Sequence, residues 1–185
     1  MNLLGKTEHC YEALFELAKE CGFTHCVPLE IPTLNFMQEV RDMCGSGKCG
    51  NYGKSWSCPP ACPTPDEMRD RAEKYAYGLL VQTVGVIEDS LDWDGMLAVE
   101  ARHKESFARM RTLLEKDFGS ALALGSGCCQ LCQSCTYPTA PCRHPARMEL
   151  SMEACGLLVS NLCADNKLGY NYGPGKTSFT GCFMW

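Results

Sequence analysis

Two short segments of the chain carry cysteines whose number and spacing could support chemistry. The first segment places four of them within 19 residues, at Cys44, Cys49, Cys58 and Cys62. The second segment holds four more, at Cys129, Cys132, Cys135 and Cys142. Thiolates bind zinc and iron–sulfur clusters, whereas in an oxidising compartment cysteines pair as disulfides. The rest of the composition decides between these uses.

The cysteine content favours metal binding over disulfides. The chain has 15 cysteines in 185 residues, about 8% and several times ordinary usage, and the count is odd. Residues 1–10 (MNLLGKTEHC) have neither the apolar region nor the small-residue cleavage site of a secretory signal peptide. We therefore expect a cytoplasmic protein whose reduced cysteines are metal ligands.

The second segment favours an iron–sulfur cluster over zinc. It contains two successive C-x-x-C steps, followed after six residues by Cys142. A cubane presents separate iron corners, which a short loop can reach with two-residue steps. A single zinc instead needs four ligands that converge on one centre, usually from two separated pairs. We predict a [4Fe–4S] cluster here, with Cys142 able to serve either this centre or the other one.

The first segment also predicts a [4Fe–4S] cluster, but its spacing leaves zinc as an alternative. Glycines recur between its cysteines, and they allow backbone N–H groups to turn toward cluster sulfides. Prolines follow Cys58 and stiffen the end of the loop, which reduces the entropy lost when a metal orders it.

Charge and hydropathy argue against two kinds of partner. With 22 acidic and 17 basic side chains the net charge is −5, and no basic patch is evident, so nucleic acid would be repelled. The longest apolar stretch, residues 77–87, is far shorter than the roughly 20 residues that a membrane helix needs. We expect neither nucleic acid nor a membrane as a partner, and the oligomeric state stays open.

Helix and strand patterns alternate between and around the two segments. Thr64, Pro65 and Glu67 form a capping-box signature that predicts a helix to about residue 75. A second, amphipathic helix is predicted within residues 91–118. A third helix is predicted over residues 152–164 with Ser151 as its N-cap. Strands are predicted at residues 25–31 (an edge strand because of Pro28), 76–84, 121–125 and 179–185.

This alternation predicts one α/β domain over residues 1–185, with a small mixed sheet flanked by helices and two cysteine-rich cluster-binding loops. Gly173-Pro174-Gly175-Lys176-Thr177 lacks the first glycine of a phosphate-binding loop and precedes a strand-like segment. It is therefore interpreted as a turn before the last strand.

Three motifs together resemble a known family. CGNYGKSWSCPPACPTPDE (residues 49–67), CQLCQSC with a later CRHP, and SMEACG (residues 151–156) resemble an uncharacterised cysteine-rich "predicted metal-binding" family, found largely in anaerobic bacteria and archaea. The likeness runs from about Cys44 to the C-terminus. It implies metal binding by seven cysteines but no established reaction: Cys44, Cys49, Cys58, Cys129, Cys132, Cys135 and Cys142.

Two cysteines depart from that family's pattern. The position of Cys62 is frequently not cysteine in the family, which would leave one iron of the first cluster open. Cys128 looks like an addition, and because adjacent cysteines rarely ligate one centre we leave it out of the ligand set.

Including Cys128, seven cysteines remain outside the eight predicted ligands, and their default role is packing in the core or near a cluster: Cys10, Cys21, Cys26, Cys128, Cys155, Cys163 and Cys182. Cys155 and Cys163 are expected on one face of the third helix, and the pair Cys21 and Cys26 is the best candidate for a further metal site.

Three functions are compatible with these patterns. The leading hypothesis is electron transfer through two [4Fe–4S] clusters to or from a partner redox enzyme, for which an acidic surface would suit a basic partner. The second is an enzyme whose first cluster has three protein thiolates and an open iron for sulfur or small-molecule chemistry. The third is a structural or regulatory protein that holds zinc or a cluster.

Overall fold

The computed structural model describes the backbone of residues 7–185 and the side chains of residues 11–185. Its helices are α1 (Thr7–Cys21), α2 (Gln38–Asp42), α3 (Pro65–Ala72), α4 (Trp93–Phe118) and α5 (Val159–Asp165). Its strands are β1 (His25–Pro28), β2 (Gly78–Val86), β3 (Leu122–Gly125), β4 (Leu150–Ser151) and β5 (Lys176–Met184). Two short 3-10 helices, Ile31–Thr33 and Met43–Gly45, flank α2.

The five strands form one mixed sheet in the order β1-β2-β5-β3-β4. The long strands β2 and β5 pair antiparallel from Gly78 opposite Met184 to Val86 opposite Lys176. β3 is antiparallel to β5 and parallel to the two-residue strand β4. The predicted α/β class with a small mixed sheet is confirmed, and β1 is an edge strand as Pro28 indicated.

Both faces of the sheet are buried. On one face, Leu79 of β2 and Phe183 of β5 pack with apolar side chains of α1 and α4: Leu14, Ala18, Phe107, Met110 and Leu114. On the other face, Leu80 and Cys182 pack with α3, α5 and the segments around them, including Met68, Met152, Cys155, Leu162 and Cys163. Because successive strand residues point to opposite faces, β2 shows continuous burial from Gly78 to Thr83 rather than an alternation of buried and exposed residues.

The capping box before α3 forms as its sequence predicted. The N–H of Glu67 donates to Oγ1 of Thr64 at 3.3 Å, and the N–H of Thr64 donates to a carboxylate oxygen of Glu67 at 2.7 Å. The amphipathic helix is also confirmed as α4, although its last predicted core residue, Phe118, is only half-buried. Within the segment 173–177, Pro174 and Gly175 form the expected turn, and β5 begins at Lys176.

The predicted helix over residues 152–164 is wrong in its first half. Ser151 lies in β4 and residues 152–156 form turns, so α5 begins only at Val159. The cause is Gly156, which adopts φ +97°, and whose carbonyl accepts a hydrogen bond from the N–H of Met37 at 2.8 Å. A Cβ at this position would lie 2.5 Å from the carbonyl oxygen of Met37. Cys155 therefore does not share a helix with Cys163, although both are fully buried.

Both cysteine-rich segments are loops, and the second one leaves and rejoins the sheet at neighbouring strands. Residues 46–64 and 126–149, all of which the structure describes, contain neither helix nor strand. The second loop leaves β3 at Gly125 and returns at β4, where the N–H of Met152 donates to the carbonyl of Gly125 at 3.1 Å. No helix within the described residues is long and apolar enough to cross a membrane.

Candidate metal centres

The first loop and its surroundings form an open recess of about 610 Å³, which we call the first recess. Four cysteines line it: Cys44, Cys49, Cys58 and Cys128. The other lining residues come from the end of α2, from the glycine-rich loop and from the turn after β4, and they include Lys48, Asn51, Tyr52 and Glu153. Three of the four cysteines predicted for the first centre are thus brought together, and Cys128, which was not among the predicted ligands, lines the recess with them.

Repulsion between thiolates indicates how close the cysteines of the first recess lie. Burial raises the pKa of Cys44, and the charges of Cys49 and Cys58 add to that rise. Burial likewise raises the pKa of Cys128, where Lys104 opposes the shift and the charge of Cys58 adds to it. The charge of Cys58 thus acts on both Cys44 and Cys128. A bound cation would reverse these shifts, because it stabilises the thiolate form.

Cys62, predicted as the fourth ligand of the first centre, packs in the core beside the first recess rather than lining it. Its side chain is only 3% exposed and packs in the apolar core beside α3. Its sulfur accepts a hydrogen bond from Nη1 of Arg41 at 3.2 Å and lies 3.6 Å from the carbonyl oxygen of Ala154. It does not line the first recess, although the charges of Cys44 and Cys62 are near enough to interact.

Arg41 is a buried cation that holds the end of the first loop against the recess. Besides the sulfur of Cys62, its guanidinium donates to the carbonyl oxygens of Pro60, Cys62, Pro63 and Ala154. No carboxylate of the described residues pairs with it, so only neutral acceptors satisfy its donors. A buried cation without an anion is costly, and the fork of the guanidinium suits several carbonyls at once. The spacing of the cysteines does not predict a role for Arg41 at this site.

The second loop forms a smaller and more enclosed recess, the second recess. All four cysteines predicted for the second centre line it: Cys129, Cys132, Cys135 and Cys142. Ser55, Trp56 and Ser57 of the first loop complete its wall, together with Arg143 and His144. The cysteines of the C-x-x-C steps therefore line one shared recess, and Cys142 lines it as well.

Polar groups surround the sulfurs of the second recess. The N–H of His144 donates to Sγ of Cys142 at 3.4 Å. Burial opposes ionisation of Cys135, but hydrogen bonds from the backbone of Tyr137, Trp56 and Thr136 outweigh it and lower the pKa of this thiol. Such N–H donors stabilise negative charge on sulfur, which is the charge that a ligating thiolate carries.

The two recesses share a wall that is formed by two pairs of consecutive residues, one pair from each loop. In the first loop, Ser57 lines the second recess and Cys58 lines the first recess. In the second loop, Cys129 lines the second recess and Cys128 lines the first recess. The N–H of Cys129 donates to Oγ of the buried Ser57 at 3.3 Å, and this hydrogen bond connects the two loop segments that form the wall. Nζ of Lys104, on α4, donates to the carbonyl of Cys128 at 2.7 Å and holds this wall against the helix.

Trp56 fastens the first loop to the second. Its Nε1 donates to the carbonyl of Ala140 at 3.0 Å, and its ring meets that of Tyr137 edge-on with centroids 5.0 Å apart. A residue of the first motif is therefore part of the wall of the second recess.

Glu153 is the one carboxylate in the wall of the first recess. The residue as a whole is exposed, yet protein atoms crowd its carboxyl group, and this desolvation raises the pKa of Glu153 above the usual range. Sequence reasoning missed Glu153, although it belongs to the SMEACG motif.

Most of the remaining cysteines pack in the core, as expected. Cys21, Cys155, Cys163 and Cys182 are buried, Cys26 is half-buried on the edge strand, and the side chain of Cys10 lies outside the described residues. Burial raises the pKa of Cys182 to about 12, so this thiol stays protonated. Cys21 contacts the sulfur of Met110 at 3.9 Å rather than a partner cysteine.

Within the described residues, no three histidine, cysteine, aspartate or glutamate side chains are arranged to hold one metal ion. The cysteines are spread around the walls of the two recesses instead. As donors they fit a cluster, because sulfur ligands suit iron and each iron corner takes its own thiolate.

Comparison with protein-family profiles gave a match. The profile of a family described as "Predicted metal-binding protein (DUF2284)" matches residues 28–185, which include both recesses and every strand except the first residues of β1. No curated protein and no solved structure matches the chain.

Proposed function

This chain belongs to that family of predicted metal-binding proteins, and from this membership we propose that it is an iron–sulfur protein with two [4Fe–4S] clusters that exchanges electrons with a partner redox enzyme. Cys44, Cys49 and Cys58 hold the first cluster. The second is held by Cys129, Cys132, Cys135 and Cys142.

The shared wall between the two recesses is the observation that carries this proposal. Cys58 and Cys128 lie on one side of it, and Ser57 and Cys129 lie on the other. Consecutive Cα atoms are about 3.8 Å apart, so two groups bound on either side of such a wall are close neighbours. The rate of electron transfer falls steeply with distance, and closely spaced centres are what an electron relay needs.

The residues around the recesses suit an anionic redox group. When bound, each cluster would accept and release one electron. Backbone N–H groups near Cys135 and Cys142 stabilise negative charge in the second recess. Arg41 places a buried positive charge behind Ala154, a residue of the first recess wall. Cations and N–H donors favour the reduced, more negative state and so raise the reduction potential.

The net charge of the chain and the proposed cellular compartment indicate the kind of partner. A net charge of −5 favours docking to a basic surface on a redox enzyme. We place the protein in the cytoplasm, where thiols stay reduced and available to iron.

A second function is favoured by the size of the first recess. Its volume of about 610 Å³ lies within the range of small-molecule sites, which is roughly 300–1,000 Å³, and Lys48, Asn51 and Glu153 line it. If the first cluster had only three protein thiolates, a substrate could bind its open iron there. A small thiol or sulfide added to the protein would then change the spectrum of that cluster. An unchanged spectrum favours the electron relay.

A redox titration under anaerobic conditions tests the relay. We expect two reversible one-electron steps, and electron paramagnetic resonance spectra of the fully reduced protein broadened by magnetic interaction between neighbouring clusters. Irreversible reduction, or two spectra that add without interaction, would contradict the proposal. Stoichiometric zinc in an iron-free, folded protein would select the structural or regulatory alternative.

A further inference from the structure

We propose that Cys128, and not Cys62, supplies the fourth thiolate of the first centre, so that the consecutive residues Cys128 and Cys129 belong to two different clusters. This inference rests on the proposed function of two bound clusters. It concerns a cysteine that neither the family's pattern nor sequence spacing assigns to a site.

The position of Cys128 is the first reason. It lines the first recess together with Cys44, Cys49 and Cys58, whereas Cys62 does not. Its backbone is fixed, because the carbonyl of Cys128 accepts a hydrogen bond from Lys104 at 2.7 Å. Lys104 is itself held by Glu100 at 3.1 Å, and both side chains are largely buried. The recess thus has four thiols without any movement of Cys62.

The surroundings of Cys62 are the second reason. Its sulfur is satisfied on both sides, by Nη1 of Arg41 and by the carbonyl of Ala154, within an apolar core. Ligation by Cys62 would require its side chain to leave this core. That movement would break the contact between its sulfur and Nη1 of Arg41 and leave a space in the packed core beside α3.

The adjacency of the two cysteines is the third reason. Two neighbouring residues rarely reach the same cluster, and here they do not need to, because Cys129 lines the second recess. With Cys128 on the first cluster and Cys129 on the second, a single peptide linkage joins the two centres through covalent bonds. Bonded paths conduct electrons better than gaps between atoms, so the doublet would be the shortest route between the clusters.

This assignment also bears on the choice between relay and enzyme. With four thiolates around the first cluster, every iron corner has a protein ligand and no open iron is left for a substrate. The wide recess would then hold a cluster saturated with cysteine, which favours electron transfer.

Three alanine variants, purified anaerobically and analysed for iron and sulfide, test the assignment. Cys128→Ala should lose the first cluster and fall from about eight to about four irons per chain, while the signal of the second cluster remains. Cys62→Ala should keep all its iron and show only a lower thermal midpoint. Cys163→Ala is the control, because this cysteine is also fully buried but lines neither recess.

A serine variant covers the case in which Cys128→Ala does not fold. Cys128→Ser keeps the size of the side chain, and an oxygen in place of sulfur should change the paramagnetic resonance spectrum of the first cluster alone. An unchanged spectrum would overturn the inference. So would loss of a cluster in folded Cys62→Ala, even if Cys128→Ser also changed the spectrum. In either case a wild-type protein with two clusters would leave the proposed function standing, whereas wild-type protein without iron would refute that function itself.

Discussion

The N–H of Cys129 donates a hydrogen bond to the hydroxyl of Ser57, 3.3 Å away, and thereby joins two loops that are 72 residues apart in sequence. Ser57 is only 2% exposed, and its hydroxyl also lies 3.0 Å from that of Ser55. The two cysteine motifs are therefore parts of one assembly, and changes in one loop should be felt in the other.

Replacing Ser57 by alanine should weaken this assembly. The amide of Cys129 would lose its acceptor, at a cost of about 1 kcal/mol, which corresponds to a thermal midpoint lower by about 2–4 °C for a chain of this size. Circular dichroism of the anaerobic protein measures the midpoint. Ser120→Ala, at an exposed position after α4, should leave it unchanged. An equal loss in both variants would argue against a role of this hydrogen bond.

Trp56 lies in the first motif, but its replacement by alanine should loosen the second cluster. The change removes the ring contact with Tyr137 and the hydrogen bond to Ala140. We expect a chelator to remove iron from the second centre about tenfold faster, which corresponds to about 1.4 kcal/mol. The matched control is Trp93→Ala, since Trp93 is 68% exposed. Faster loss from the first centre only would contradict the packing described above.

Arg41→Met should destabilise the protein strongly. Methionine fills similar space but leaves carbonyls at Pro60, Pro63 and Ala154 without their donor, which should lower the free energy of unfolding by about 3 kcal/mol. Arg41→Lys retains the charge without the forked geometry. It should therefore also lower the thermal midpoint, but hold the reduction potential of the first cluster near the wild-type value.

The positive charge of Arg41 gives a second measurement for Arg41→Met, the reduction potential of the first cluster. Loss of this buried cation should lower the potential by an amount on the order of tens of millivolts. Arg71→Met, at an exposed position of α3, is the control for both measurements. A potential unchanged in Arg41→Met would show that Arg41 has only a structural role.

His103 makes stability depend on pH. Its ring is fully buried between aromatic side chains, Nδ1 lies 3.0 Å from Oγ1 of Thr83, and Nε2 has no hydrogen-bond partner among the described residues. Burial, with a smaller effect of Lys104, lowers the pKa of His103 from 6.5 to about 4. The unfolded chain therefore binds more protons than the folded one between these values, and the free energy of unfolding falls as the pH falls through this window.

Urea unfolding at pH 7 and pH 5 measures this effect. Relative to His103→Phe, the wild-type protein should lose about 2 kcal/mol more between the two pH values. His25→Gln, at an exposed histidine, should behave as the wild type does. If His103→Phe and wild type lost the same amount, the imidazole would already be protonated or paired in the folded protein.

Much of the fold follows from local patterns in the sequence. The capping box of Thr64 and Glu67 and the periodicity of α4 are encoded within a few residues, and both form as predicted. The helix predicted from residue 152 fails because its end depends on a distant contact. Gly156 bonds to Met37, and Leu157 bridges to Phe36, across more than 100 residues of sequence that no local pattern represents.

In the candidate site, too, local spacing predicts some positions, whereas others depend on contacts with residues distant in sequence. Two-residue steps keep Cys129, Cys132 and Cys135 near one another by their spacing alone, and the structure places them around one recess. The first loop has longer gaps, so spacing cannot decide where Cys62 points. Its position depends on Arg41, which packs from another element. Adjacency to Cys129 argues against Cys128 as a ligand of the same centre, but neighbouring residues of a non-helical segment can line opposite sides of a wall.

Quantification of iron, acid-labile sulfide and zinc in the anaerobically purified wild-type protein tests the central claim most directly. Two [4Fe–4S] clusters predict about eight irons and about eight sulfides per chain, with zinc well below one equivalent. About one or two equivalents of zinc, with iron and sulfide absent, would contradict the account.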